Sequence, residues 1–421
     1  MTGRSLRLAV LCPHFAPDTA PTGVVMTRIV SELVEQGHEV HVVTSLPWYA
    51  KHCVEPEWAG VTWRTRTSEE PWGSVTRLDP FAGSDKRNLW RRALGFVGFS
   101  VTAAVAGSRV ARGQRFDAVL AMSPPLTLGV SGWYVARRRR APLVVNIQDV
   151  FPDAAVESGA ITNRLVIAAA RYLERWVYRR AEAVTVLSED LADNLRAKVS
   201  RQRAWRIRTI PNFVDVEAIQ PIDRLTAYRR ELGIDERPVV MYAGNIGFSQ
   251  SLNSMIAAAR ALPDVWFVIN GDGAARAELE REARDLPNVV FGEYQPAERL
   301  SEVLATGDVH AVLLKAGLGR VSVPSKTYSI MAAGRPIVAA VDPDTEVTRL
   351  VSASEGGICV PPDDETAFVE AVRTLVGDLD RSAAMGRRAR RHVESEASPA
   401  AVAASYAGLL SSPGVTPDQR L

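Results

Sequence analysis

Val239-Val-Met-Tyr-Ala-Gly244-Asn245-Ile-Gly247 is an apolar run that ends in closely spaced glycines, with helical apolar spacing resuming from Leu252. A run of this length and composition reads as a strand buried on both faces, and the glycines as the turn that carries it into a helix. A second strand-plus-glycine unit follows at Trp266 to Asn270 and Gly271-Asp272-Gly273, and Val323-Pro-Ser-Lys326 leads into Tyr328-Ser-Ile-Met-Ala-Ala-Gly334-Arg-Pro336. Glycines let backbone N–H groups and a helix N-terminus approach an anion closely, so these three pieces predict a nucleotide diphosphate site in the second half of the chain. Lys326 would supply the full positive charge there.

The same alternation extends in both directions. Strand-length apolar runs occur at Leu6 to Leu11, Val40 to Thr44, Ala118 to Met122, Leu143 to Ile147 and Ala183 to Leu187 in the first half. The second half adds Val289 to Phe291, Ala311 to Leu314, Ile337 to Ala340 and Ile358 to Val360. Helical patterns separate them, the first over Val24 to Gln36 with Gly37 as its stop. The fold class expected is α/β, with two doubly wound Rossmann-like domains facing each other across a ligand-binding cleft. The predicted boundaries are 1–208 for the first domain, 209–238 for a linker and 239–395 for the second domain. A final helix near 399–410 is free to cross back onto the first.

The chain has 421 residues and a net charge of +2, too long for one ordinary core and of ordinary globular composition. That small net charge hides an asymmetry: residues 1 to 215 hold 29 Lys+Arg against 20 Asp+Glu. A basic first half suits an anionic partner, whether acidic lipid, a phosphorylated acceptor or nucleic acid, and equally suits arginine spread over solvated faces. The three cysteines, Cys12, Cys53 and Cys359, are too few and too far apart for a disulfide framework or a Cys-based zinc site, as expected of a cytoplasmic protein. The apolar stretch at Leu8 to Cys12 is too short for a secretory signal. Residues 93–108, uncharged and flanked by arginines, fit either a buried helix or one lying on an anionic membrane with Trp90, Phe96 and Phe99 dipping in.

Several motifs carry a resemblance to a known family: Pro21-Thr-Gly23, Gly37-His-Glu-Val40, Ile210-Pro-Asn212 with Asp215, Gly244-Asn-Ile-Gly247 and Ala332-Ala-Gly-Arg-Pro336. In order and spacing they resemble the glycosyltransferase family 4 type of retaining, nucleotide-sugar-dependent enzyme with the GT-B fold. Gln148-Asp149-Val-Phe-Pro152-Asp153 and Val323-Pro-Ser-Lys326 look more narrowly like enzymes of capsule, O-antigen and colanic-acid assembly. The resemblance implies transfer of a hexose-type sugar, fucose-type or N-acetylated in that subgroup, to a lipid-linked or other membrane-borne glycan acceptor. It implies no metal, no other cofactor and no nucleic acid, and a place in the cytoplasm or peripherally on the inner face of the plasma membrane.

The chain departs from the wider family at telling places. Asn245 and Gln250 stand where an Arg and a Lys usually hold the diphosphate, leaving that charge to Lys326 and Arg320. Val321 and Ser329 replace the glutamate pair that binds ribose, for which Glu346 is the expected substitute. Gln148 replaces a histidine after the fifth strand.

Leaving-group stabilisation is expected from Gly23, Gly244, Asn245, Gly247, Lys326 and the helix after Ser251. His14 either touches donor phosphate or is a plain loop histidine. Asp149, at the end of an apolar strand, is the first candidate to polarise the acceptor hydroxyl or support positive charge on the sugar, and Asp153, which equally fits a helix cap, the second. Asp342-Pro-Asp344 has metal-pair spacing but reads as loop and cap residues, and His38 reads as structural. A non-hydrolysing nucleotide-sugar epimerase and a non-catalytic nucleotide-sugar-binding subunit remain open as alternatives.

Overall fold

The computed structural model describes residues 4–49, 53–58, 66–81, 89–153, 156, 161, 163–318 and 326–412, with the side chains of 56 and 89–94 excluded. The chain divides into two units, Met1–Asn212 with Val402–Leu421, and Phe213–Ala401.

The first unit carries an eight-stranded sheet: β1 (Arg7–Leu11), β2 (Glu39–Ser45), β3 (Arg66–Glu70), β4 (Gly73–Leu78), β5 (Ala118–Ser123), β6 (Leu143–Ile147), β7 (Ala183–Val186) and β8 (Ile207–Thr209), in the order β3-β4-β2-β1-β5-β6-β7-β8. All pairs are parallel except β3 with β4. Every residue of β5, β6 and β7 is buried, because helices cover both sheet faces and leave no solvent side for polar residues. One face, including Val119, Ala121, Val145 and Val184, packs under the helices Leu89–Arg109, Thr127–Arg139 and Arg164–Arg180. The first helix, Pro21–Glu35, starts with proline, whose missing N–H is no loss in a first turn. His38 is structural: its Nδ1 accepts the Leu6 N–H at 3.2 Å.

The second unit carries a six-stranded parallel sheet: β9 (Val239–Ala243), β10 (Trp266–Asn270), β11 (Val289–Gly292), β12 (Val309–Leu313), β13 (Ile337–Ala340) and β14 (Gly357–Val360), in the order β11-β10-β9-β12-β13-β14. Order reverses at β9, whose neighbours β10 and β12 are fed from opposite directions. Ligands of doubly wound sheets gather outside the strand ends at such a switch point.

Three points go beyond the sequence reading. The stretch 209–238 is no free connector: Ile207–Thr209 pairs with β7, Val214 and Ile219 are buried in one core of the second unit, and Tyr228 and Ile234 in another. Phe99 is core rather than membrane-facing, at 3% exposure, and Phe96 is half-buried, while the Trp90 side chain lies outside the described residues. Strands β3, β4 and β8 were not expected, since β3 is an exposed polar edge strand and β8 spans only three residues.

The helix Pro399–Ser411 returns to the first unit, where the Tyr406 hydroxyl accepts a hydrogen bond from Asn146 at 2.8 Å and lies 3.3 Å from the Thr185 hydroxyl. Among the described residues no helix is long and apolar enough to cross a membrane.

Candidate functional site

At the carboxyl end of β9 the backbone turns through Gly244 at φ +139°, and at the end of β10 through Gly271 at φ +135°. The two turns are laced together: Gly244 N–H donates to the Asn270 carbonyl at 2.9 Å and Ile246 N–H to that of Asp272 at 2.8 Å. A Cβ on Gly271 would stand 2.0 Å from the Gly244 carbonyl oxygen, so this crossing is open to glycine alone.

Lys326 begins the helix Lys326–Ala332 and turns its side chain back over β9. Its ammonium lies 3.8 Å from the centroid of the Tyr242 ring, and a Cβ on Gly244 would sit 3.3 Å from its Nζ. The phenol below is pinned by a 2.6 Å hydrogen bond to the Asn245 carbonyl. Nζ is buried and, among the described residues, has no hydrogen-bond partner. Burial lowers the lysine from its usual 10.5 to about 7. A buried ammonium without a carboxylate or hydrogen bond is costly, and the cation–π contact offsets only about 2 kcal/mol of that. An anion entering over Gly244 would complete it.

Beside this point a depression of about 340 Å³ is lined by Gly247, Ser251, Leu252, Asn253, Lys315 and Asp363, among others. The helix Asn253–Ala261 begins at its edge. Gly247 N–H is already engaged, donating to Gln250 Oε1 at 3.1 Å, so Gln250 shapes the turn instead of supplying charge. Asn245 is exposed. Glu346 begins the helix Glu346–Ser354 and pairs with Arg349 at 3.1 Å, and its charge reaches Tyr328, two residues beyond Lys326. Asp342 accepts the Gly317 N–H at 2.8 Å, a loop-closing role. Arg320 and residues 321–325 lie outside the described residues.

In the first unit, His14 follows β1 and is held on three sides. Its Nδ1 lies 2.7 Å from Asp18 Oδ2, Trp48 stacks on it with centroids 5.5 Å apart, and Tyr49 meets it edge-on at 5.6 Å. Gly23 packs against this residue, since a Cβ there would be 2.8 Å from His14 Cβ. That contact accounts for the glycine without any ligand. Asp149 is exposed at the end of β6. Asp153 is bound instead to Lys198 at 2.6 Å, and Lys198 also holds the buried Glu174 at 2.7 Å. Burial raises the Asp153 carboxyl, but the Lys198 hydrogen bond and charge outweigh it and leave it below its usual value.

The fold thus gathers Gly244, Asn245 and Lys326 at one strand end, Gly23 with His14 at another, and Asp149 at a third. It adds residues that pattern reading passed over. Tyr242, the platform for Lys326, was signalled by a hydroxyl in an otherwise apolar strand; Lys315 had no signal. Gln148 spends both ends of its amide in a chain, donating to Asn146 at 2.9 Å and accepting from Asn212 at 3.1 Å. Asn146, a lone amide within Leu-Val-Val-Asn-Ile, was the cue to that network.

The model of a glycosyl transferase 4-like domain matches residues 22–212, and that of glycosyl transferases group 1 matches residues 237–378. The putative colanic acid biosynthesis glycosyl transferase WcaI of Escherichia coli is 27% identical over 379 residues, covering 87% of this chain and 91% of its own. Among solved structures, sucrose-phosphate synthase from Thermosynechococcus elongatus superposes with a TM-score of 0.67 at 17% identity, over 96% of this chain and 98% of its own. Anabaena Alr3699/HepE, solved with UDP and glucose, gives 0.63 at 16% identity over 97% and 100%. With both domain models matched in order on two parallel-sheet α/β units, the chain belongs to the glycosyltransferases of the GT-B fold, with a family 4-like first domain and a group 1 second domain.

Proposed function

We propose that the enzyme moves a hexose-type sugar, fucose-type or N-acetylated among them, from a nucleotide diphosphate donor to a lipid-linked or other membrane-borne glycan acceptor in cell-surface polysaccharide synthesis. The observation that carries this reading is the buried Lys326 ammonium, over Tyr242 beside the Gly244 turn and without a hydrogen-bond partner among the described residues. Transfer breaks the bond between the sugar's anomeric carbon and the diphosphate and forms one to the acceptor oxygen on the same face, with retention. Negative charge grows on the departing diphosphate, where Lys326 and the backbone around Gly244 stabilise it without a metal ion. Asp149 polarises the acceptor hydroxyl or supports positive charge on the sugar, and the hydroxyl proton leaves with the diphosphate. Support comes from the name of the relative WcaI, which places it in colanic acid biosynthesis, and from Alr3699/HepE, solved with UDP and glucose. We place the enzyme in the cytoplasm, peripheral to the membrane that bears its acceptor.

The test is incubation of the purified protein with a panel of nucleotide sugars, with and without membrane extract. Acceptor-dependent release of nucleoside diphosphate is the expected result. Epimerised donor without acceptor, or binding without turnover, would replace transfer with one of the two alternatives.

A further inference from the structure

We infer that the outer face of three adjacent helices in the first unit, Leu89–Arg109, Thr127–Arg139 and Arg164–Arg180, docks on an anionic phospholipid bilayer. The helices form one layer. Ser100 donates to Thr127 at 2.7 Å, Ser131 donates to the Ser100 carbonyl at 2.6 Å, and the Arg180 guanidinium lies over both Trp133 and Trp176, at 5.6 and 5.3 Å. Together the three segments contain eleven arginines and one carboxylate, Glu174. That carboxylate points inward, with a side chain 1% exposed and bound to Lys198. Among the described residues of these three helices the outer face therefore has no carboxylate of its own. The imbalance is local: the next helix, Glu189–Lys198, carries Glu189, Asp190 and Asp193, and Glu69 stands on strand β3 at the opposite border.

Apolar side chains stand among these arginines where solvent alone would favour polar ones. Leu165 is 82% exposed and Tyr172 69%, one above the other on Arg164–Arg180, and Val97, Val101 and Tyr134 are exposed on the other two helices. Arg137, Arg138, Arg164, Arg175 and Arg179 are exposed beside them, and among the described residues none is ion-paired to a carboxylate. Scattered single apolar residues need no explanation, but a leucine and a tyrosine on the solvent side of an arginine-rich amphipathic helix match an interfacial helix. Phosphate headgroups pair with the guanidiniums while the leucine and tyrosine enter the headgroup boundary. Phe99, by contrast, faces the core, so the docking face is the one opposite to the phenylalanines.

Docking stands on residues other than the nucleotide site and is separable from it. The full-length protein would be floated with phosphatidylcholine vesicles and with vesicles containing about a third phosphatidylglycerol. Binding is expected only to the second, weakening as salt rises. Each basic residue at such a surface contributes about a fivefold factor, so Arg175→Glu with Arg179→Glu should reduce binding at least about 25-fold. Leu165→Ser with Tyr172→Ser should weaken it also, with nucleotide-sugar affinity unchanged as the sign of an intact fold. Equal loss from Arg284→Glu with Arg391→Glu, in the second unit, would reduce the effect to net charge and overturn the proposal. So would wild-type binding by the helix variants, or a dimer that the Leu165 and Tyr172 changes dissociate. Lys326→Ala should float normally while losing nucleotide, which tells failure of docking apart from failure of the transfer reading.

Discussion

Raising the pH from 6 to 9 should weaken nucleotide-sugar binding, with the bend near pH 7. In the free protein burial holds Lys326 at about 7, so the ammonium is lost progressively above neutrality. A diphosphate beside it favours the charged form and keeps the proton on well above pH 8. The free protein must then take up a proton to bind, and affinity falls by about tenfold per pH unit above 7. Between pH 6 and 9 that is roughly a hundredfold, or about 2.7 kcal/mol. A nucleotide sugar is the right probe, because its doubly esterified pyrophosphate has no group that titrates in this range.

Isothermal titration calorimetry at pH 8 in two buffers of different ionisation enthalpy should show close to one proton taken up. Lys326→Arg, charged throughout, should flatten the profile, and Lys326→Met should flatten it at weak affinity. Constant wild-type affinity from pH 6 to 9, or the wild-type slope persisting in Lys326→Met, would refute the reasoning. The same burial acts on folding. Between about pH 7 and 10.5 the unfolded chain keeps a proton that the folded chain has released, so stability rises with pH across that window, and the cost of the lysine is complete below 7. Lys326→Met should therefore raise the melting temperature most at pH 6 to 7, with an upper bound of about 5 kcal/mol.

Asp149→Asn should cut turnover by about 10²- to 10³-fold while nucleotide-sugar affinity stays within twofold; steady-state kinetics beside calorimetry decide this, and unimpaired transfer would free Asp149 of its role. Gly271→Ala forces a Cβ to 2.0 Å from the Gly244 carbonyl at φ +135°, so urea unfolding should show a loss of at least about 2 kcal/mol together with weakened nucleotide binding. Tyr406→Phe removes the hydroxyl shared with Asn146 and Thr185 and should cost about 1–3 kcal/mol in the first unit, read from its urea midpoint. No loss there would mean that the returning helix is held by packing alone.

The central strands were legible because they are buried on both faces. Leu143–Ile147 and Ile337–Ala340 have the predicted bounds, and β9 and β10 lie within a residue of theirs. Apolar continuity is the direct imprint of two-sided burial. The edge pair β3 and β4 left no such imprint, since Arg66-Thr-Ser-Glu-Glu70 faces water and pairs through its backbone. Asp153 shows the limit at the site: from sequence it is one of two neighbouring carboxylates, and only the approach of Lys198, forty-five positions away, makes it an ion-pair member.

Glycine spacing foretells from the sequence alone the turn at the end of β9, because the backbone geometry such a turn requires is open to few other residues, and with one lysine it motivates the anion site we propose there. Tertiary structure alone decided that the ammonium of this lysine is buried, rests on Tyr242 and lacks a hydrogen-bond partner among the described residues, and that Trp133 and Trp176, on two separate helices, lie under one guanidinium, that of Arg180. Burial, desolvation and charge density depend on segments distant in the chain meeting in space. Local sequence sets what each residue can do, and only packing sets the dielectric and the neighbours in which it does it.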